Sequence, residues 1–195
     1  MSTVAIVIKN NTLAIAADTL TKGGSEKNSA KYVINHQKIL NIGDNYLGIT
    51  GPQSGQLAVV DYFTHLKNMP DLSCVSKIYK TWLKLHAALK EDYFLDTHKA
   101  DEPQFEPDPI EILIANPHGA FGLSAYRDVQ QFSRFYACGA GGPYAMGAMF
   151  AAYDHPQKTA LEIAILGIEA ACEFDDATAL PMTSFTLPCK LPHTP

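Results

Sequence analysis

The stretch Ser2–Asp18 reads STVAIVIKNNTLAIAAD. Thr3–Lys9 and Thr12–Ala17 are rich in β-branched and apolar residues, and Asn10-Asn11 separates them. Asparagine tolerates positive φ, so the pattern predicts two antiparallel strands joined by a tight turn. Lys38–Ile42 and Tyr46–Thr50 repeat the pattern around Gly43-Asp44-Asn45. Both faces of these strands are apolar, which implies a sheet covered on both sides.

Outward from these hairpins the periodicity changes. Leu57, Val59, Val60 and Phe63 have helical spacing within Gly55–Leu66. Val75, Ile78, Tyr79, Trp82, Leu85 and Leu89 follow the i, i+3, i+4, i+7 rule and predict a second helix. Ile110–Ala115 and Ala120–Ala125 read as another hairpin, and Phe132–Cys138 as a single strand. Gly141-Gly142-Pro143 opens a helix to about Tyr153, with proline suited to its first turn. Thr159 and Glu162 form a capping box ahead of a fourth helix, and Met182–Leu187 reads as a last strand. Strands and helices in separate runs predict an α+β layered fold rather than a parallel Rossmann sheet.

The length of 195 residues, 47% of them hydrophobic, fits one domain spanning 1–195. Twenty acids against fifteen bases give a net charge of −5, and only Arg127 and Arg134 are arginines. A nucleic-acid partner is therefore not expected. The acidity is local. Residues 91–111 hold eight acids and one base, or −7, and the remainder holds 12 acids and 14 bases, or +2. Three prolines, Pro103, Pro107 and Pro109, forbid a regular element there, which predicts an exposed acidic loop insertion at about 91–109. Cys74, Cys138, Cys172 and Cys189 are scattered with no CxxC pair, as expected for reduced thiols in the cytoplasm. No apolar run has the length of a membrane span, so no membrane association is expected.

Several motifs fail on inspection. Gly139-Ala140-Gly141-Gly142 lacks the last glycine of a dinucleotide fingerprint and has no βαβ context, so no cofactor is expected. Gly122-Leu123-Ser124-Ala125-Tyr126 lacks the closing glycine of a nucleophile elbow. The seven histidines show no paired metal spacing, so no metal is expected. The N-terminus is more informative. Ser2 is small, so Met1 should be removed, leaving an α-amine and a hydroxyl on one residue. An α-amine titrates near 7.7–8.0, suited to a general base, and such a residue can hydrolyse amides.

The opening Ser2–Asp18 resembles the start of proteasome β-type subunits and of the bacterial peptidase HslV, which are N-terminal-nucleophile hydrolases. Four further blocks resemble the same family in order: Gln37-Lys38-Ile39-Leu40, Leu47-Gly48-Ile49-Thr50-Gly51, Cys138–Ala145 (CGAGGPYA) and Ala171–Thr178 (ACEFDDAT). The short chain and extended middle loop resemble most the bacterial branch called BPH, with plain HslV as the next choice. The resemblance implies a four-layer αββα sandwich and a self-compartmentalising peptidase. It implies Ser2 as nucleophile and base, Lys38 as a neighbouring cation, Asp18 as the group that keeps Lys38 charged and oriented, the Gly48 N–H as oxyanion donor, and a buried Asp175 fixing the N-terminus. It implies substrate adding as a strand between Thr21-Lys22 and Leu47–Thr50, with Tyr46 and Thr50 shaping the pocket. It further implies a homo-oligomeric double ring, sevenfold favoured over sixfold, whose contacts bury Ala145, Met146, Met149 and Phe150. Its substrates would be unfolded proteins or peptides. HslV works with an ATP-driven unfoldase, for which no residue here speaks. The acidic loops, gathered around a pore or chamber, would favour entry of basic over acidic chains.

The sequence departs from the family in two places. The usual threonine nucleophile is Ser2, which lacks the methyl that restrains the rotamer, and Ala140 replaces the serine of GSGG. These departures leave a proteolytically weak or inactive ring scaffold as the alternative function. The hairpin register is also open. A two-residue turn pairs Thr3 with Asp18 and sets Ser2 and Asp18 on opposite faces, whereas a three-residue turn or a bulge brings them to one face.

Overall fold

The computed structural model describes residues 2–94 and 110–190. Met1, residues 95–109 of the expected acidic insertion, and 191–195 lie outside the described residues. In chain order the elements are β1 (Thr3–Lys9), β2 (Thr12–Asp18), β3 (Thr21–Gly23), β4 (Glu26–Asn28), β5 (Ile39–Ile42) and β6 (Asn45–Thr50). Helices α1 (Gln53–Thr64) and α2 (Val75–Glu91) follow. Next come β7 (Glu111–Asn116), β8 (Gly119–Leu123), β9 (Val129–Phe132) and β10 (Phe135–Gly139). Helices α3 (Gly142–Tyr153) and α4 (Ala160–Phe174) and strand β11 (Met182–Pro188) complete the order.

Three apolar layers hold four structural layers together. One antiparallel sheet runs β10-β1-β2-β11 and another β5-β6-β7-β8-β9. Strand alternation divides β1 and β2 between two cores. Val4, Ile6, Ile8, Leu13 and Ile15 pack against Ile39, Leu113 and Ala115 of the second sheet. The opposite face offers Ala5, Val7, Ala14 and Ala16 to Met149 of α3 and Ile163 and Ile168 of α4. Those small residues let the helices lie close to the sheet. The outer face of the second sheet carries Leu47, Ile49, Ile112 and Phe121 under Phe63 of α1 and Trp82, Leu85 and Leu89 of α2. The result is the αββα sandwich that the resemblance implied. The α4 capping box is formed, with Thr159 Oγ1 accepting from the Glu162 amide and Glu162 accepting from the Thr159 amide.

The first hairpin closes in two residues. Lys9 pairs with Thr12, and Asn10 and Asn11 have φ of 51° and 57°. Two successive positive φ values are the mark of a type I′ turn, whose twist matches that of its strands. Asn11→Val should lower the unfolding free energy by about 1–2 kcal/mol, since a β-branched residue is poorly tolerated at φ above zero. A lower urea midpoint would show this, with Asn11→Gly as a control expected to lose nothing.

The structure corrects four expectations. The strand expected over Phe132–Cys138 is two strands, broken at Ser133-Arg134, with β9 in one sheet and β10 in the other. The pair β3-β4 is additional; its short, exposed, polar residues carry no alternating apolar signal. Val75 and Tyr79 stand outside the apolar face of α2, which is formed by Ile78, Trp82, Leu85 and Leu89. Ala145 and Met149 are fully buried beneath α4, so they cannot serve a contact between subunits, whereas Phe150 is 75% exposed. Among the described residues no helix is long and apolar enough to cross a membrane.

Candidate active site

The site begins where β2 ends. Asp18 is completely buried, and its carboxylate accepts four hydrogen bonds. Oδ1 accepts from the Thr3 amide at 2.9 Å and from Lys38 Nζ at 2.8 Å. Oδ2 accepts from the amides of Leu20 at 3.0 Å and Ala179 at 3.3 Å. The two-residue turn makes the first of these bonds possible, because it sets Thr3 across from Asp18 at the open end of the hairpin. Asp18 therefore reaches Ser2 through the peptide that joins Ser2 to Thr3.

Lys38 lies just ahead of β5 and is 4% exposed. Its ammonium also donates to the Leu20 carbonyl at 2.7 Å. Burial lowers its pKa below the ordinary lysine value, and the Asp18 charge opposes that shift without reversing it. Asp18 thus orients Lys38 but does not fully offset the loss of water around it.

The segment Cys138–Gly142 fixes the N-terminal backbone. Thr3 is registered against Gly139, and the Ala140 amide donates to the Ser2 carbonyl at 2.9 Å. Gly139 has φ of 89°, and a Cβ there would stand 1.9 Å from the Ser2 carbonyl oxygen. Glycine is required by both the dihedral and the close approach. A hydroxyl chain adds to this. The Gly141 amide donates to Thr3 Oγ1 at 3.0 Å, Thr3 Oγ1 and Thr178 Oγ1 are 2.6 Å apart, and Thr178 Oγ1 donates to Asp175 at 2.6 Å. Asp175 is half-buried rather than buried as expected, and it reaches the N-terminus through Thr178 and Thr3.

Ser2 itself is buried, and Gln56 Nε2 lies 3.5 Å from its Oγ. The same nitrogen donates to the Gly51 carbonyl at 3.2 Å. A cavity of about 210 Å³ opens beside Gln56 and Lys38, with mainly apolar walls that include Leu40, Ile49, Leu57 and Val60.

Two expected residues do not reach this site as assigned. Gly48 sits in mid-ladder, opposite Ile39 on one side and Leu113 on the other, and a Cβ there would meet Val4 at 2.4 Å. Its role is to let the two sheets approach, and its amide belongs to the ladder. Tyr46 is the second residue of the same strand, about 13 Å from Thr50 at strand spacing, and stacks on Phe185 between the sheets at 4.9 Å. Thr50 does lie near Ser2 and Gly139, but it is buried, with its hydroxyl donating to the Glu111 carbonyl at 3.2 Å. Thr21 and Lys22 are half-buried in β3, and Lys22 pairs with Asp176. One edge of β3 pairs with β4, and among the described residues no strand pairs with the other. Gln56, Gly51 and Thr178 were missed. Residues 56, 57 and 60 share one face of α1, a signal present in the sequence but with nothing to say that this face meets β5.

A site at the head of β1 between two antiparallel sheets and two helical layers defines the N-terminal-nucleophile hydrolase fold. Eukaryotic HslV from Trypanosoma brucei has this fold. It is 19% identical to the chain, with a TM-score of 0.65 over 95% of this chain and 99% of that one. The BPH of Thiobacillus denitrificans is 49% identical over 96% of this chain and 98% of that chain, with a TM-score of 0.92. The same protein in complex with epoxomicin is 48% identical over 96% and 99%, with a TM-score of 0.91. The chain therefore belongs to the bacterial proteasome homologue (BPH) family, within the N-terminal-nucleophile peptidases. No protein-family model matches the sequence, and no curated protein does.

Proposed function

We propose that this protein is a self-compartmentalising peptidase that cleaves peptide bonds through Ser2 once Met1 is removed. The observation that carries the reading is the convergence on Ser2 and Thr3 of Asp18, the Gly139–Gly141 backbone and the Gln56 amide, with Lys38 bound to Asp18. Ser2 Oγ attacks the scissile carbonyl while its proton passes to the α-amine of the same residue. The tetrahedral intermediate expels the leaving amine, which takes that proton, and an acyl ester remains on Oγ. Water, deprotonated by the amine, then releases the acid. Lys38, oriented by Asp18, supplies the positive charge that disfavours protonation of the α-amine.

The oxyanion donor must lie beyond the sheet ladder, and we assign it to the Gly51 amide. Gly51 follows β6 and shares Gln56 with Ser2, and among the described residues its amide has no backbone partner. One such donor is worth about 2.7–4 kcal/mol in comparable acyl transfers. Asp175 supports Thr3 through Thr178. The edge of β3 that no described strand pairs takes substrate as an added strand at Thr21-Lys22, and Lys22 is held there by Asp176. The apolar cavity walled by Leu40, Ile49, Leu57 and Val60 takes the side chain before the scissile bond. The assembly is a homo-oligomeric double ring, with sevenfold symmetry favoured, whose contacts cover exposed apolar side chains such as Phe150. Its substrates are unfolded proteins or peptides, and its compartment is the cytoplasm.

Intact mass spectrometry tests the reading. Protein from its own organism should lack Met1 and should gain the mass of one epoxomicin per chain, mapped to Ser2. A retained Met1, or an adduct elsewhere, would overturn the reading in favour of a non-proteolytic ring.

A further inference from the structure

We propose that Gln56 is the positioning residue for a serine nucleophile, replacing by a hydrogen bond the rotamer restraint that threonine obtains from its methyl group. The inference rests on the assignment of Ser2 as nucleophile. Two observations carry it. Gln56 Nε2 bears two hydrogens and has two acceptors in range, the Gly51 carbonyl at 3.2 Å and Ser2 Oγ at 3.5 Å. The chain also carries serine where a β-branched residue would lock its own χ1.

The orientation of the carboxamide follows from its partners. With Oε1 and Nε2 exchanged, two oxygens would face each other at the Gly51 carbonyl, so the nitrogen is the atom turned toward Gly51 and Ser2. The group is also well anchored. Gln56 stands in the first turns of α1, with its own amide donating to the Pro52 carbonyl at 3.1 Å, and its stem forms part of the cavity wall beside Leu57 and Val60. A serine hydroxyl has three staggered rotamers open to it. A donor on one lone pair selects the rotamer that keeps Oγ beside Gly51 and leaves its own hydrogen to point at the α-amine. Attack then begins from an aligned hydroxyl, which raises kcat rather than affinity.

A four-member cycle tests this, using the assembled protein and one fluorogenic peptide. The members are the wild type, Gln56→Met, Ser2→Thr and the double variant. Methionine keeps the length of the stem and removes the donor. In the serine enzyme Gln56→Met should lower kcat about tenfold, as expected for one lost hydrogen bond. In the Ser2→Thr background the same change should lower kcat no more than about twofold, because the methyl already restrains the side chain. A KM change equal in both backgrounds reports only the cavity wall. Equal loss of kcat in both backgrounds, or a loss confined to KM, would overturn the proposal while leaving Ser2 as nucleophile. The rate of epoxomicin adduct formation provides a second measurement that needs no turnover, and it should show the same dependence on background. A wild type that forms no adduct at Ser2 would overturn the nucleophile assignment and this inference together.

Discussion

Ser2→Ala should lower kcat/KM for peptide hydrolysis by at least about 10³-fold and abolish the epoxomicin adduct, with no change in fold. The reasoning is local. The backbone around position 2 is held by the Ala140 amide on its carbonyl and by the Thr3 amide on Asp18, and neither contact involves the hydroxyl. Alanine keeps both, keeps the α-amine, and removes only Oγ. Removal of a covalent nucleophile from a preorganised site commonly costs several orders of magnitude, leaving what binding and the oxyanion donor achieve alone. Rates above background, with circular dichroism confirming the fold, would be compared at equal protein concentration. Retention of more than a tenth of wild-type activity would remove Ser2 from the mechanism.

The second large effect concerns the buried pair Asp18 and Lys38. Both Asp18→Ala and Lys38→Met should abolish activity, but they should differ in stability, with Asp18→Ala the worse by a clear margin. Asp18 satisfies three amides and an ammonium, so its loss leaves all four without that acceptor in a region closed to water. Breaking a buried ion pair from one side costs about 3–5 kcal/mol, and this variant should reach that range. Lys38→Met leaves the carboxylate with three amide donors and frees one carbonyl, that of Leu20, so its cost should be smaller. Urea unfolding of the two variants gives the order directly, and a reversed order would refute the account. The pH dependence has a definite sign. Burial lowers the Lys38 pKa, so the unfolded chain keeps that proton to a higher pH than the folded one. Between the lowered value and about 10.4, the wild type should gain stability relative to Lys38→Met as pH rises.

Much of this molecule can be read from residue pattern alone, for identifiable reasons. The hairpin of β1 and β2 is legible because asparagine pairs mark positive φ and its strands are apolar on both faces. The capping box of α4 is legible because it is a local exchange between residues three apart. The Asp18–Lys38 contact was reached only through family resemblance; its partners are twenty residues apart, and only the fold brings them together. The two misassigned site residues share one cause. Gly48 and Tyr46 lie on a strand whose amides and side chains have definite directions, and a linear motif does not record which face each one takes. Gln56 was invisible for a related reason, since nothing in the sequence tells which residue of α1 faces the head of β1.

The two-residue turn at Asn10-Asn11 has a consequence for how such chains can vary. Asp18 meets the Thr3 amide because the hairpin measures the same distance along both arms, like a folded ruler read at matching marks. One residue added at the fold of the ruler would shift one arm by a notch and turn the carboxylate away. No such gauge governs the run from Leu20 to Lys38, which reaches the same carboxylate by a flexible cation after a loop. Functional relatives should therefore hold the count from nucleophile to aspartate fixed while the count from aspartate to lysine drifts. A broken first count would mark a chain whose chemistry has lapsed before any site residue has changed.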